Sequence, residues 1–153
     1  MSAPTCPRRF ARPRRIRFAD CDPAGIVFFP HYLTMFVSLL EDFVTEELAI
    51  TYAELLGARR IGLPTVSLAC EFTHPSRMGD EVTLGLLPLR VGRTSITLAL
   101  DCSDATRTRV AIRQTLVTTS LETHRPIPVP PDLRAALEAF DPTLRSASTE
   151  PLP

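Results

Sequence analysis

The feature that most constrains the fold is a change of hydrophobic period part-way along the chain. From Tyr32 to Leu48 the apolar residues Tyr32, Leu33, Phe36, Leu39, Leu40, Phe43, Val44 and Leu48 recur at i, i+3, i+4 spacing. Glu41, Asp42, Glu46 and Glu47 lie mainly between them. The spacing predicts one long helix, then a short one near Tyr52 to Leu56 stopped by Gly57. After Gly62 the period becomes two. Pro64 to about Phe72, Val82 to Leu86, Ile96 to Cys102 and Val110 to about Ser120 read as strands. Met78-Gly79-Asp80, Gly92-Arg93 and Asp104 to Thr106 read as the turns between them. Short turns between successive long strands predict an antiparallel meander, and one long helix with such a sheet is an α+β pattern. The lengths agree: a helix of about 18 residues spans roughly 27 Å, and a strand of about 8 residues roughly 26 Å. One helix can therefore lie along the concave face of one curved sheet. A short strand over Arg15 to Phe18 precedes the helix, and Asp132 to Phe140 reads as a late helix capped by Asp132.

A chain of 153 residues holds one compact domain. Its 17 basic and 17 acidic residues cancel, which excludes a globally basic nucleic-acid binder. No apolar run approaches the roughly 20 residues of a membrane span, and no apolar segment follows the basic N-terminus as in a secretory signal. Cys6, Cys21, Cys70 and Cys102 form no Cys-x-x-Cys pair. They read as reduced cytoplasmic thiols, with neither a metal site nor a bound cofactor expected. The charge is uneven. Arg8, Arg9, Arg12, Arg14, Arg15 and Arg17 all precede the first acid, Asp20, and Pro4, Pro7 and Pro13 lie among them. Residues 1–14 therefore read as a flexible, solvated arm, 15–140 as the domain and 141–153 as a disordered tail.

The segment that carries chemistry runs from Phe18 through Asp20-Cys21-Asp22-Pro23-Ala24-Gly25 to Phe29-Pro30-His31-Tyr32. It sets two acids on a tight Pro/Gly turn just before the long helix. Glycine permits positive φ and close approach of a ligand. The helix start offers unpaired N–H groups and a positive dipole end. A carboxylate beside that end can act on an electrophile whose oxygen the N–H groups hold, which suits acyl transfer or hydrolysis. The bland alternative is a pair of turn-forming and capping aspartates. No Gly-x-Ser-x-Gly elbow, Walker motif or dinucleotide glycine pattern is present.

The run Asp20-Cys21-Asp22-Pro23-Ala24-Gly25-Ile26-Val27-Phe28 resembles the signature of the 4-hydroxybenzoyl-CoA thioesterase family, which has the hot-dog fold. Gly62-Leu63-Pro64-Thr65-Val66-Ser67, Gly79-Asp80-Glu81-Val82 and Arg93-Thr94-Ser95 extend the resemblance over roughly Arg15 to Ser120. The resemblance implies hydrolysis of an acyl-CoA, with an aryl group of benzoyl type favoured over an aliphatic chain. A non-catalytic acyl-CoA-binding protein of the same fold is the alternative from another class. Asp22 matches the catalytic aspartate, as nucleophile or as general base for water. Phe29 matches the residue whose backbone N–H polarises the thioester carbonyl, though relatives carry Tyr or His there. Gly25 supplies the turn, and Asp20 orients the loop. Arg93 matches a basic position that meets CoA phosphates, with Thr94 beside it. His31, Tyr32 and Thr65 are assigned to substrate binding. Relatives form a dimer or tetramer and bind substrate at the dimer interface, so Arg93 would act on the neighbouring subunit's site.

Overall fold

The computed structural model describes residues 8–147. Its first element is a strand, β1 (Phe10–Arg15), inside the segment expected to be a solvated arm. The arginines are the reason. Arg9 forks onto Asp101 at 2.9 and 2.7 Å, Arg15 meets Glu81 at 2.5 Å and Arg14 meets Asp20 at 3.1 Å. Arg8 and Arg12 meet Glu47 and Glu46. Exposed pairs of this kind are individually weak, but Phe10 is buried among them and anchors the strand. Pro13 is tolerated because β1 lies at a sheet edge. Residues 1–7 lie outside the described residues.

A single 3-10 turn (Phe18–Asp20) and a loop lead into α1 (Phe29–Asp42), which continues as a π-helical turn over Phe43–Glu47. This is the long helix the periodicity predicts. Tyr32, Met35, Phe36, Leu39, Leu40, Phe43 and Val44 form its buried stripe. Then follow α2 (Tyr52–Leu56), β2 (Ile61–Gly62), β3 (Thr65–Phe72), β4 (Glu81–Val91), β5 (Ser95–Ser103), β6 (Thr108–Val117) and β7 (Thr119–Ser120). The chain closes with α3 (Pro131–Phe140) and α4 (Leu144–Ala147).

The main sheet has the order β1-β4-β5-β6-β3, all antiparallel, and β2 pairs with β7. The expected meander holds for β4, β5 and β6. It fails for β3, which crosses to the far edge and pairs with β6, Phe72 opposite Val110 and Leu68 opposite Gln114. The segment joining β3 to β4 is not a hairpin turn. Thr73 and His74 donate to the Arg109 carbonyl at 2.9 and 3.2 Å, and Ile26 bridges Arg77, so the segment passes beneath the sheet's end to reach β4.

The core lies between α1 and the alternating inward residues of the sheet, such as Leu84 and Leu86 on β4 and Leu98 and Leu100 on β5. Phe43 joins three parts of the chain: its ring meets Phe10 at 5.4 Å and Phe140 at 5.0 Å. The late helix starts with Pro130 at its cap position and Pro131 inside it, so Asp132 is not the cap. Asp132 instead takes a forked contact from Arg59 at 2.7 and 2.9 Å. The expected tail is also ordered further than 140. Asp141 is buried, and its Oδ1 accepts the Thr143 N–H at 3.0 Å and hydroxyl at 2.7 Å, which starts α4 and seats Leu144 in the core. Residues 148–153 lie outside the described residues. Among those described, no helix is long and apolar enough to cross a membrane.

Arg109, on β6, fastens the crossing segment. Its Nη1 reaches Asp80 at 2.6 Å and its Nε reaches Asp104 at 2.9 Å. The Asp80 carboxyl is held below the usual carboxylate range by the Arg77 N–H and by Arg109. That of Asp104 is held low by the Thr106 hydroxyl and N–H and by Arg109.

Two consequences are measurable. Phe43→Ala opens contacts to β1 and α3 together and costs about 3–5 kcal/mol in urea unfolding; a loss below about 1 kcal/mol would show that neither element leans on this ring. Because the Asp80 and Asp104 pKa values are depressed, their stabilisation is present above the unfolded carboxylate pKa and is lost as pH falls through the folded values. Arg109→Gln lowers Tm at neutral pH by about 5 °C and flattens the decline of Tm between about pH 5 and pH 2. An acid limb identical to wild type would refute the role of this network.

Candidate active site

The loop before α1 is built on Asp20. Its Oδ2 accepts the Arg17 N–H at 2.8 Å and its Oδ1 the Arg14 guanidinium at 3.1 Å. Its backbone carbonyl accepts the Phe28 N–H at 2.9 Å and the His31 Nδ1–H at 3.0 Å. Asp20 is buried, and both its carboxylate and its carbonyl hold the loop in shape. The chain then folds back on itself. Cys21 bridges Val27, the Asp22 N–H donates to the Ile26 carbonyl at 2.9 Å, and the Gly25 N–H donates to the Asp22 carbonyl at 2.9 Å. Gly25 has φ +79° with open space where a Cβ would stand, so the backbone, and not crowding, demands glycine there. The Val27 N–H donates to the Ser76 carbonyl at 2.9 Å, which fixes the loop to the crossing segment.

Asp22 sits at the tip of this structure. Its Oδ1 accepts the Ala24 N–H at 2.8 Å, and among the described residues its other oxygen has no protein partner. The side chain is half-buried and lines a recess of about 510 Å³ with Phe18, Cys21, Pro23, Gly25, Arg77 and Met78. Phe29 opens α1. Among the described residues its N–H has no backbone acceptor, Pro30 has no N–H, and the His31 N–H is taken by the Phe28 carbonyl at 2.8 Å. One free donor thus remains at the positive end of the helix dipole, near the carboxylate loop. The Phe29 ring is exposed and lies edge-on to Phe28 at 5.6 Å and Phe72 at 6.1 Å.

The other expected residues are not gathered at this point. His31 faces a separate recess with Arg14, Thr34 and Ser38, behind the loop. Tyr32 is buried, with its ring 6.1 Å from Phe72; burial raises its phenol pKa, and Ser76 is its polar neighbour. Thr65 accepts the Gln114 amide at 2.7 Å and lines an apolar groove of about 240 Å³ between α1 and β3, with Leu33, Val37, Leu68 and Ile112. Arg93 and Thr94 lie in the β4–β5 turn, beyond the far end of the 11-residue β4 from Asp80. That is roughly 35 Å away along the strand. The sequence ends a short strand at Phe18, places Met78 in a turn and does not single out Arg77, yet all three share the Asp22 recess. Cys21 is no rival nucleophile: burial, then the Asp20 and Asp22 charges, raise its thiol pKa. Burial pushes Cys102 up to about 11. Among the described residues no three His, Cys, Asp or Glu side chains group as metal ligands would. Phe29 follows Asp22 by seven residues and does not line the Asp22 recess. A carboxylate with one free oxygen, on the loop that leads into a helix start with an unpaired N–H, can attack, or direct water onto, a carbonyl brought between them.

Known proteins share this chain's fold. A family model described as the thioesterase-like superfamily matches residues 16–137. The chain is 23% identical over 121 residues to a Nostoc punctiforme protein named 1,4-dihydroxy-2-naphthoyl-CoA hydrolase, covering 78% of this chain and 81% of that protein. A protein of the same name from Thermosynechococcus vestitus is 27% identical over 127 residues, covering 82% and 86%. Among solved structures, a gentisyl-coenzyme A thioesterase superposes with TM-score 0.74 at 26% identity, over 82% of this chain and 99% of that one. A thioesterase-superfamily protein from Jannaschia sp. superposes with TM-score 0.79 at 25% identity, over 91% and 97%. The match is to the superfamily as a whole and not to its 4-hydroxybenzoyl-CoA branch in particular. One helix laid along one curved antiparallel sheet, with the acidic loop at the helix start, is thus the hot-dog fold, and the chain belongs to the thioesterase-like superfamily.

Proposed function

We propose that this chain hydrolyses an acyl-CoA to the carboxylic acid and free CoA, with an aryl acyl group as its preferred substrate. The observation that carries the reading is the Asp22 carboxylate on its hydrogen-bonded turn, close in the chain to the unpaired Phe29 N–H. In this reading the Phe29 N–H holds the thioester oxygen. Asp22 either adds to the carbonyl carbon and expels the CoA thiolate, leaving an anhydride for water to open, or takes the proton of the attacking water. Both routes end in the acid and the thiol. The aryl preference is supported by the exposed rings of Phe28 and Phe29 beside Phe72 and by the apolar groove between α1 and β3. Relatives whose names specify a naphthoyl-CoA or a gentisyl-CoA point the same way.

The reading includes a second copy of the chain. β3 is an open sheet edge with Val66, Leu68 and Phe72 exposed along it. Thr65 pairs with Leu116 and Phe72 with Val110, so β3 runs from the Arg93 end of the sheet to the Asp22 end. Antiparallel pairing of two β3 strands lays the Thr65 end of each copy beside the Phe72 end of the other. Arg93 and Thr94, remote from Asp22 within one protomer, then approach the other copy's site.

Asp22→Asn is expected to reduce thiol release from benzoyl- or 4-hydroxybenzoyl-CoA by about 10²–10⁴-fold. Phenylacetyl-, acetyl- and octanoyl-CoA in the same assay rank the acyl group. Turnover untouched by the substitution would remove Asp22 from the chemistry, and tight binding without turnover would leave a carrier of acyl-CoA. Leu68→Asp, at the middle of β3, is expected to give monomers in analytical ultracentrifugation with most activity lost; a fully active monomer would show that one chain holds a whole site.

A further inference from the structure

The Asp22 recess holds a cation that the hydrolytic chemistry does not use. Arg77 lines it, and among the described residues its guanidinium makes no ion pair. This is unlike Arg8, Arg9, Arg12, Arg14 and Arg15, each of which meets an acid. The nearby acid is already engaged: Asp80 accepts the Arg77 backbone N–H at 2.9 Å and the Arg109 guanidinium at 2.6 Å. The Arg77 backbone is fixed where Ile26 bridges it, next to the loop that carries Asp22. Two large apolar side chains flank the cation and face water, Phe18 at 82% and Met78 at 60% exposure. The Ile16 carbonyl, two residues before Phe18, accepts the Gly79 N–H at 2.8 Å, so the two segments are laced together. An open, mainly apolar recess that Asp22 lines together with a guanidinium outside any ion pair is suited to an amphipathic anion.

We propose that Arg77, Phe18 and Met78 form the seat of the CoA arm on the same chain as Asp22. The proposal rests on the thioesterase reading and deepens it by dividing the substrate between two recesses. The groove between α1 and β3 is lined mainly by aliphatic side chains, with Phe36 and the hydrogen-bonded Thr65 and Gln114 among them, and takes the acyl group. The recess with Arg77 takes the other side of the thioester. There the pantetheine chain lies against Phe18 and Met78, and the guanidinium takes a phosphate oxygen. Arg77 is then a second phosphate contact besides Arg93 of the partner subunit, and it belongs to the subunit that does the chemistry.

The test compares two thioesters of one acyl group on wild type, Arg77→Gln and Phe18→Ala: benzoyl-CoA, and the benzoyl thioester of N-acetylcysteamine, which has no phosphate. Arg77→Gln is expected to raise KM for benzoyl-CoA about tenfold, the scale of one lost charge-assisted contact, while KM for the short thioester stays within about twofold. Added salt raises the wild-type KM for benzoyl-CoA and raises it less in the variant. Equal effects on both thioesters would overturn the proposal, since Arg77 would then serve the acyl group or the loop. No effect on either would overturn it as well. If wild type hydrolyses neither ester, the benzoyl-type reading falls, and the thioesterase reading falls with it if phenylacetyl-, acetyl- and octanoyl-CoA are also left intact. Calorimetric titration with CoA then still decides the seat: about tenfold weaker binding to Arg77→Gln sustains it, and equal binding ends it.

Discussion

The candidate site depends on one buried aspartate at the base of its loop. Asp20 answers four donors, two through its carboxylate and two through its backbone carbonyl. The carboxylate contacts tie it to β1 and to the 3-10 turn, and the carbonyl contacts tie it to the first residues of α1. A buried carboxylate is tolerable only when its charge is met, and Arg14 and the Arg17 N–H meet it. The paired charge removes the freedom of the segment on either side. Cys21 to Phe28 must then close over a short span, which the positive φ of Gly25 allows. Asp22 is presented at the tip because Asp20 is held at the base.

The helix start leaves its donor free for a similar reason. An α-helix begins with several unpaired N–H groups, and proteins commonly satisfy them with a Ser, Thr, Asp or Asn cap. Here Phe28 occupies the cap position and has no side-chain acceptor to offer, Pro30 removes one donor, and Phe28 takes the N–H of His31 through its carbonyl. What is left is the Phe29 N–H. A polar cap accepts from the second or third N–H of a helix, here the missing one of Pro30 or that of His31, so the Phe29 N–H is left over whatever the cap. Burial of the α1 stripe against the sheet supplies the stability that the apolar cap does not.

What could be read from the chain alone follows the range of the interactions. The helix from Phe29 to Glu47 and the meander of β4, β5 and β6 are set by local periodicity and short turns, and both were legible. The acidic loop was legible because its turn chemistry sits within a few residues. β1 was not, because its ordering comes from acids far along the chain; Arg9 and Asp101 are separated by 92 positions. A run of arginines before the first acid looks like a free arm until the acids that answer it are folded back onto it. The place of β3 was missed for a related reason: its own pattern says strand, but only the crossing segment with Arg109 says which neighbour it joins. Arg77 was hidden in the same segment, just before the Met78-Gly79-Asp80 turn, where nothing local shows that it shares a recess with Asp22.

The separation of Arg93 from Asp22 bears on how such a site can be assembled at all. A helix laid along a curved sheet has two ends, and only one of them carries the dipole's positive pole and the acidic loop. A long substrate with a charged tail outreaches that end. Of the two edges of the sheet, β1 carries Pro13, which has no N–H to offer a further strand, so β3 is the edge along which a second copy would extend the site. Strand pairing there is antiparallel whenever two copies meet by a two-fold axis, because the axis reverses the strand it acts on. The same operation that covers the exposed Val66, Leu68 and Phe72 therefore brings the far end of one sheet to the near end of the other. In the proposed dimer, edge protection and site completion would be one event, and the apolar residues along β3 would serve both.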